Sequence, residues 1–173
     1  MNFDLNKSLE ILKRTPDVLD AQLRGLAAFW TENKEAPERW SAKDVVAHLI
    51  HGEIEDWIPR TKIILFEENK RFPPFNPSGF GEIMENKTLD ELLIEFRKLR
   101  ESNITMLEKF NLCENDFQKT GIHPEFGEVT LHQHLSTWTV HDLNHLYQIS
   151  RAVGKQYTED VGPWKKYLRL VRD

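Results

Sequence analysis

The sequence has one cysteine, no long apolar run and no excess of basic residues, and each absence excludes a class of protein. A lone cysteine, Cys113, forms neither an internal disulfide nor a cysteine-rich zinc site, and it suits a reducing compartment. The densest apolar run, Ile63 to Phe66, is far shorter than the roughly 20 residues that cross a bilayer. The N-terminal residues lack the apolar segment of a secretory signal. We therefore expect a cytoplasmic protein with no membrane partner.

The charge balance argues against nucleic-acid binding. The chain has 28 Asp and Glu against 23 Lys and Arg, a formal net charge of −5. A protein that binds a phosphate backbone needs clustered basic residues, and the sequence has no such cluster. Gly-rich phosphate loops, H-E-x-x-H and G-x-S-x-G motifs are also missing. Acidic neighbours disfavour a thiolate at Cys113, so we expect a buried or incidental thiol there.

The length of 173 residues, 39% of them hydrophobic, predicts one domain over residues 1–173. A chain of this size buries about two thirds of its unfolded surface, so it does not need a metal in order to fold. Any metal ion is therefore expected to be functional.

Helix-start signals recur along the chain. Thr15-Pro16 offers a cap followed by proline, and Ser41, Thr88 and Thr130 each begin a capping-box pattern. Apolar residues then recur at intervals of three and four. The pattern predicts four bundle helices, at 16–32, 41–68, 88–111 and 130–153. It also predicts a short lead-in helix at 4–14 and a final helix at 163–172.

Proline punctuates the predicted bundle in two places. Pro59 should bend or break the second helix, because it lacks a backbone donor and clashes with the preceding turn. Residues 71–81 are rich in proline and glycine, which predicts a long crossover loop. Together these features predict an all-α four-helix bundle, a fold in which side chains of facing helices can form an enclosed site.

Histidines supply the strongest chemical signal. His141 and His145 lie four residues apart on the fourth bundle helix, so they share one face and could bind one divalent ion. His134, seven residues earlier, lies on the same side. Such a pair is more often structural, and a third ligand from another helix would change that balance. The second helix offers His48 and His51, and their spacing does not choose between them.

Two carboxylates fall within the predicted apolar faces and need partners. Asp142 could orient a metal-ligating imidazole, although capping of a neighbouring helix is the commoner role for such a residue. Glu53 could support a ligand in the same way, although a buried salt bridge is the commoner explanation.

Three segments resemble the DinB/YfiT-like superfamily: Trp40-Ser-Ala-Lys-Asp-Val-Val-Ala-His48-Leu, Thr130-Leu-His-Gln-His-Leu and His141-Asp-Leu-Asn-His145-Leu-Tyr-Gln-Ile149. Segments 121–127 and 162–164 are also typical of it. The resemblance implies an up-down-down-up four-helix bundle, to which the helix predicted at 163–172 adds a short extra C-terminal helix. It implies a metal site formed by His48, His141 and His145, and it includes neither His132 nor His134.

The resemblance also implies a function. A three-histidine site keeps coordination positions open, as catalytic sites do. We expect a divalent metal ion, zinc or nickel first, with manganese, iron or cobalt as alternatives. The first hypothesis is a metal-dependent enzyme that transfers a low-molecular-weight thiol to a small-molecule substrate. The alternatives are a metal-dependent hydrolase and a non-catalytic helical interaction module. Exposed apolar faces favour a homodimer, and the sequence assigns no general base.

Overall fold

The computed structural model describes residues 3–172, which are mostly helical. Its α-helices are α1 (Leu5–Leu12), α2 (Thr15–Leu23), α3 (Ala28–Glu32), α4 (Ala42–Glu55), α5 (Trp57–Phe66), α6 (Gly81–Met84), α7 (Leu89–Lys109) and α8 (Leu131–Gly154). A hairpin of strands β1 (Thr120–His123) and β2 (Gly127–Thr130) precedes α8. Short 3-10 helices cover Asp116–Gln118, Lys155–Tyr157 and Gly162–Tyr167.

The long helices form the predicted four-helix bundle. Helix α4 packs on α7 and α8, α1 packs on α8, and α2 packs on α7. The all-α bundle expected from the sequence is thereby confirmed. No helix within residues 3–172 is both long and apolar enough to cross a membrane.

Three of the four helix-start signals act as predicted. Ser41 with Asp44, Thr88 with Glu91, and Thr130 with Gln133 each form a reciprocal capping box at the start of α4, α7 and α8 respectively. Thr15 does not cap α2, although proline follows it as predicted. Its hydroxyl instead donates a 2.6 Å hydrogen bond to Oδ2 of Asp142 on α8.

Two predicted helices are interrupted. The helix expected at 16–32 ends at Leu23, and Gly25 follows with a φ of +78°, a conformation that glycine adopts without strain. The helix expected at 41–68 breaks at Asp56, between α4 and α5, and not at Pro59. Pro59 lies in the first turn of α5, where its missing N–H would have no partner within the helix.

The crossover loop is present, and the hairpin was not predicted. The loop joins the hairpin through Arg71, which bridges Ile122, and through a 2.9 Å hydrogen bond from the Phe72 N–H to the Ile122 carbonyl. Register in the hairpin runs from Thr120 opposite Thr130 to His123 opposite Gly127. The final helix expected at 163–172 is a 3-10 helix that ends at Tyr167.

A buried ionic layer, which consists of Glu53, Arg100 and Asp142, crosses the middle of the bundle. Arg100 of α7 is 1% exposed and binds both carboxylates, with contacts of 2.8 Å to Glu53 and 2.6 Å to Asp142. It also donates to the Leu12 carbonyl, and the Thr15 hydroxyl donates to Asp142. Burial alone would lower the pKa of Arg100, but the two carboxylates raise this pKa by more than burial lowers it, so the guanidinium stays charged.

The ionic layer separates two apolar clusters. One cluster includes Leu12, Trp57, Leu107 and Trp138, and the other includes Leu19, Leu49, Phe96 and Ile149. Helices α7 and α8 contribute to both clusters, whereas α1 and α5 contribute to the first and α2 and α4 to the second. The layer therefore fixes how α4, α7, α8 and the α1–α2 segment are aligned along the length of the bundle.

Replacement of Arg100 by methionine should lower the free energy of unfolding by about 3–5 kcal/mol, because Glu53 and Asp142 would remain buried without their cation. Urea unfolding measures the change. Arg97→Met is the matched control on the same helix, since Arg97 pairs with Asp17 at an exposed site and should cost less than about 1 kcal/mol. Similar small losses in both variants would contradict a structural role for the layer.

Candidate metal centre

Three histidine side chains from two helices converge at one point. His48 lies on α4, and His141 and His145 lie one turn apart on α8. Nε2 of His141 is 3.1 Å from Nε2 of His48 and 3.0 Å from Nε2 of His145. Potential ligand atoms of all three lie within 4.8 Å of one another. No other group of three potential ligands comes together among residues 3–172.

Neighbouring oxygen atoms fix the orientation of two of these rings. Nδ1 of His48 donates to the backbone carbonyl of Pro77 at 2.9 Å, because that oxygen can only accept. Nδ1 of His145 donates to Oε1 of Gln148 at 2.7 Å. Each ring therefore carries its proton on Nδ1, and its Nε2 presents a lone pair towards His141.

Hydrogen bonds within the cluster cannot satisfy these nitrogens. His141 could give one Nε2 proton to only one of the two lone pairs that face it. Its Nδ1 is buried and has no partner among the described residues. Nitrogen lone pairs that converge from three imidazoles suit a divalent cation, which accepts all of them. The residues present thus fit the metal ion that the sequence led us to expect.

The protonation state favours metal binding. Burial lowers the pKa of His48 to about 4 and that of His141 to about 2, and neighbouring imidazoles contribute to both shifts. Burial also lowers the pKa of His145, although the Gln148 hydrogen bond and the charge of Asp142 oppose this. All three rings are therefore neutral near pH 7, which is the form that ligates metals.

Two further candidate histidines lie outside the cluster. Nε2 of His134 is 2.9 Å from the backbone carbonyl of Trp57, so this buried ring forms a hydrogen bond with the first residue of α5. Nε2 of His51 is 3.1 Å from the Asn76 carbonyl in the crossover loop. Of the two candidates on α4, the structure thus brings His48, and not His51, to the pair on α8.

The remaining histidines and the cysteine also lie apart from the cluster. His132 packs against the ring of Phe3. Nδ1 of His123 accepts the backbone N–H groups of Glu125 and Phe126 in the hairpin turn. Cys113 is free and exposed, so of the two alternatives expected for it the buried thiol is wrong and the incidental thiol is left.

The two buried carboxylates serve the ionic layer and not an imidazole. Asp142 accepts hydrogen bonds from Arg100 and from the Thr15 hydroxyl, so neither role considered for it from the sequence is found. Glu53 forms the buried salt bridge that was the commoner interpretation, and it accepts further bonds from Asn103 and Trp138.

A cavity of about 700 Å³ lies beside the three histidines, which form part of its wall. It is lined by residues of α4, α5, α8, the crossover loop and the hairpin turn, and it is open to solvent. Its wall is mainly apolar and includes Trp40, Trp57, Phe72, Phe75 and Phe126. A volume of this size suits a small molecule.

Several residues of this region were not predicted from the sequence. Gln148 lies three residues after His145, so helical spacing could have indicated it. Pro77 contributes a backbone carbonyl, for which the sequence carries no signal. Asp56 and Arg60 form an ion pair in the cavity wall, with Nη1 and Oδ1 3.0 Å apart.

Comparison with known proteins identifies a family and agrees with the fold. The model of the DinB superfamily matches residues 11–149. A Bacillus cereus protein (strain 03BB102) named "Putative metal-dependent hydrolase" is 27% identical over 112 residues, which are 64% of this chain and 63% of that protein. The match thus spans less than two thirds of that relative. A Bacillus mycoides protein with the same type of name is 22% identical over 147 residues, covering 84% of this chain and 83% of its own length.

The structural comparison shows a shared fold. YfiT from Bacillus subtilis, described as "a probable metal-dependent hydrolase with an unusual four-helix bundle topology", matches with a TM-score of 0.75 and 21% sequence identity. The match covers 88% of this chain and 87% of YfiT.

Acid should destabilise the metal-free protein through its buried histidines. Burial lowers the pKa of His134 to about 4, so below pH 6.5 the unfolded chain takes up a proton that the folded chain does not. The stability is fully present above pH 6.5 and is lost as the pH falls towards 4, by up to about 1.4 kcal/mol per pH unit for one histidine. His134→Gln should make this dependence shallower by that amount in urea unfolding of chelator-treated protein. If the free energy of unfolding depended equally on pH in the variant and in the wild type, His134 would not be the source of this effect.

Proposed function

Because the chain belongs to the DinB superfamily, we propose that it is a metal-dependent hydrolase whose divalent ion is held by Nε2 of His48, His141 and His145. The observation that carries the proposal is the convergence of these three neutral nitrogens in the wall of a cavity. The names of the relatives support hydrolysis, the alternative considered from the sequence, over thiol transfer.

The donor set suits a catalytic ion better than a structural one. Structural zinc sites are usually closed by four protein ligands, whereas catalytic sites use three and keep a position open. A divalent ion held here would act as a Lewis acid, which lowers the pKa of water and polarises a carbonyl or phosphoryl group. Imidazole ligands suit zinc and nickel, and the same donors accept iron, cobalt or manganese.

The surrounding residues prepare the ligands for this role. The Pro77 carbonyl and the Gln148 amide oxygen hold the protons of His48 and His145 on Nδ1, so that both Nε2 atoms are available. Contacts of this kind orient a ligand and raise its basicity. Since burial keeps the pKa of His48 at about 4, protons do not compete for that nitrogen near neutral pH.

The cavity wall defines where a substrate lies. Trp57 packs edge-on against His141 with ring centroids 4.9 Å apart, and Trp40 lies 4.7 Å from the ring of His48. The indoles thus cover the sides of the ligand rings and limit the access of water. A small molecule in the cavity would contact these apolar faces while its reactive group lies beside the three histidines.

Metal content and hydrolysis should disappear together when a ligand is removed. His48→Ala and His145→Ala should each lose a near-stoichiometric divalent ion, measured by elemental mass spectrometry on untagged protein, and should lose hydrolysis of p-nitrophenyl acetate. His51→Ala is the matched control on α4 and should retain both properties, since this residue lies outside the cluster.

Two results would contradict the proposal. Wild-type protein that takes up neither zinc nor nickel on reconstitution would exclude the metal site. Metal-loaded protein that hydrolyses neither ester nor amide probes would exclude the reaction class.

Gln148→Leu should weaken metal binding without unfolding the bundle, because the proton on Nδ1 of His145 would lose its acceptor. We expect a loss of about tenfold or more in affinity for zinc, measured by competition with a chromogenic chelator. Gln148→Glu keeps an acceptor oxygen at this position and should restore most of the affinity. Unchanged affinity in Gln148→Leu would show that this hydrogen bond does not support the site.

A further inference from the structure

Two buried arginines of this protein differ sharply in how their N–H groups are used. Arg100 is 1% exposed and directs five hydrogen bonds to oxygen atoms, a number equal to its N–H donors. Arg60 is 6% exposed, yet the one hydrogen bond that its side chain makes within residues 3–172 runs from Nη2 to the Pro73 carbonyl at a long 3.4 Å. Arg100 is thus fully used by the fold, whereas Arg60 is not.

The remaining contacts of Arg60 leave donors available. Its Nη1 is 3.0 Å from Oδ1 of Asp56, but that oxygen accepts no hydrogen bond from the described part of the chain, so the contact is an ion pair without hydrogen-bond geometry. Its Nε is buried and has no partner within residues 3–172. A buried guanidinium with unused N–H groups is costly, and an oxygen ligand would offset that cost.

The position of Arg60 joins this donor capacity to the cavity. Arg60 lines the same cavity as the three histidines, and its guanidinium lies over the ring of Phe72 at 5.1 Å and near Phe75 at 5.9 Å. The aromatic rings hold the guanidinium plane in place and keep water from it. The cavity thus offers a fixed cation beside apolar walls.

We propose that Arg60 binds a carboxylate of the substrate, so that the enzyme acts on small apolar or aromatic molecules that carry an acid group. The proposal rests on the proposed function, because Arg60 and the three histidines share one cavity. The planar fork of a guanidinium matches the two oxygens of a carboxylate, and charge-assisted bonds of this kind are strong. The apolar body of such a molecule would contact the aromatic wall.

Asp56 moderates the affinity of this carboxylate site. It faces the same guanidinium, so its negative charge opposes that of an incoming acid. Burial raises the pKa of Asp56 to about 6, although Arg60 lowers it, so the group is ionised above that pH. An uncharged residue at this position would remove the negative charge that opposes the ligand, so the carboxylate should bind more tightly.

Phenylacetate and phenylacetamide test the proposal, because they share a shape and differ in charge. Titration calorimetry on chelator-treated full-length protein at pH 8 excludes binding of the carboxylate to a metal ion. Wild type should prefer phenylacetate by about tenfold or more, as expected for a charge-assisted hydrogen bond. Arg60→Met should bind both probes equally, and Asp56→Asn should increase the preference. Arg71→Met, at an exposed position of the crossover loop, should match wild type.

Several outcomes would overturn the carboxylate site. They are equal affinity of wild type for the two probes, no binding of phenylacetate at millimolar concentrations, or an undiminished preference in Arg60→Met. Inorganic phosphate that binds more tightly than phenylacetate would also overturn the choice of a carboxylate. If Arg60→Met does not fold by circular dichroism, the opposite shift in Asp56→Asn still decides.

The same measurements separate this proposal from the proposed function. His48→Ala protein without metal should keep the preference for phenylacetate, since its Arg60 is intact. Wild type that binds no metal but discriminates between the probes would exclude the hydrolase and retain the acid-binding site. Metal-loaded, hydrolytic protein without discrimination would exclude only the acid-binding site.

Discussion

The salt bridges of Arg100 with Glu53 and Asp142 constrain the rest of the molecule. Asp142 lies between His141 and His145 on α8, and its contact with Arg100 sets the rotation of that helix about its axis. Glu53 does the same for α4, five residues after His48. With both helices fixed by one guanidinium, the three imidazoles meet at the edge of the core. The geometry of the histidine cluster is therefore a consequence of a contact that does not touch it.

Such a layer contributes specificity more than stability. Apolar residues of similar volume would pack in its place at little or no cost in the free energy of unfolding. Apolar clusters alone, however, tolerate shifts of one helix along another, because contacts between hydrophobic side chains are not directional. Charged groups in the middle of the core allow only the alignment in which the guanidinium meets both carboxylates. We infer that the layer fixes a single register of the helices, on which the histidine cluster depends.

The sequence predicted what local patterns encode. Capping boxes at Ser41, Thr88 and Thr130 placed three helices, and the resemblance selected the histidines that the fold brings together. Contacts between segments that are distant in the chain could not be predicted from the sequence. The charged side chain that would meet Glu53 and Asp142 could not be identified among 23 basic residues, and the role of the Pro77 carbonyl depends on where a loop without periodicity lies. The hairpin was missed because its short strands lie directly before a strong helix signal.

The crossover loop has a consequence for how the protein could diversify. Its Phe72 and Phe75 form part of the cavity wall, whereas its Pro77 carbonyl orients His48. The nitrogen donors themselves lie on helices held by the core. The loop's share of the cavity wall and the three histidine nitrogens thus lie on separable parts of the chain, which meet at one backbone oxygen. Side chains of the loop can be exchanged for others without loss of that oxygen, whereas a change in the length of the loop would alter the cavity wall and the ligand support together.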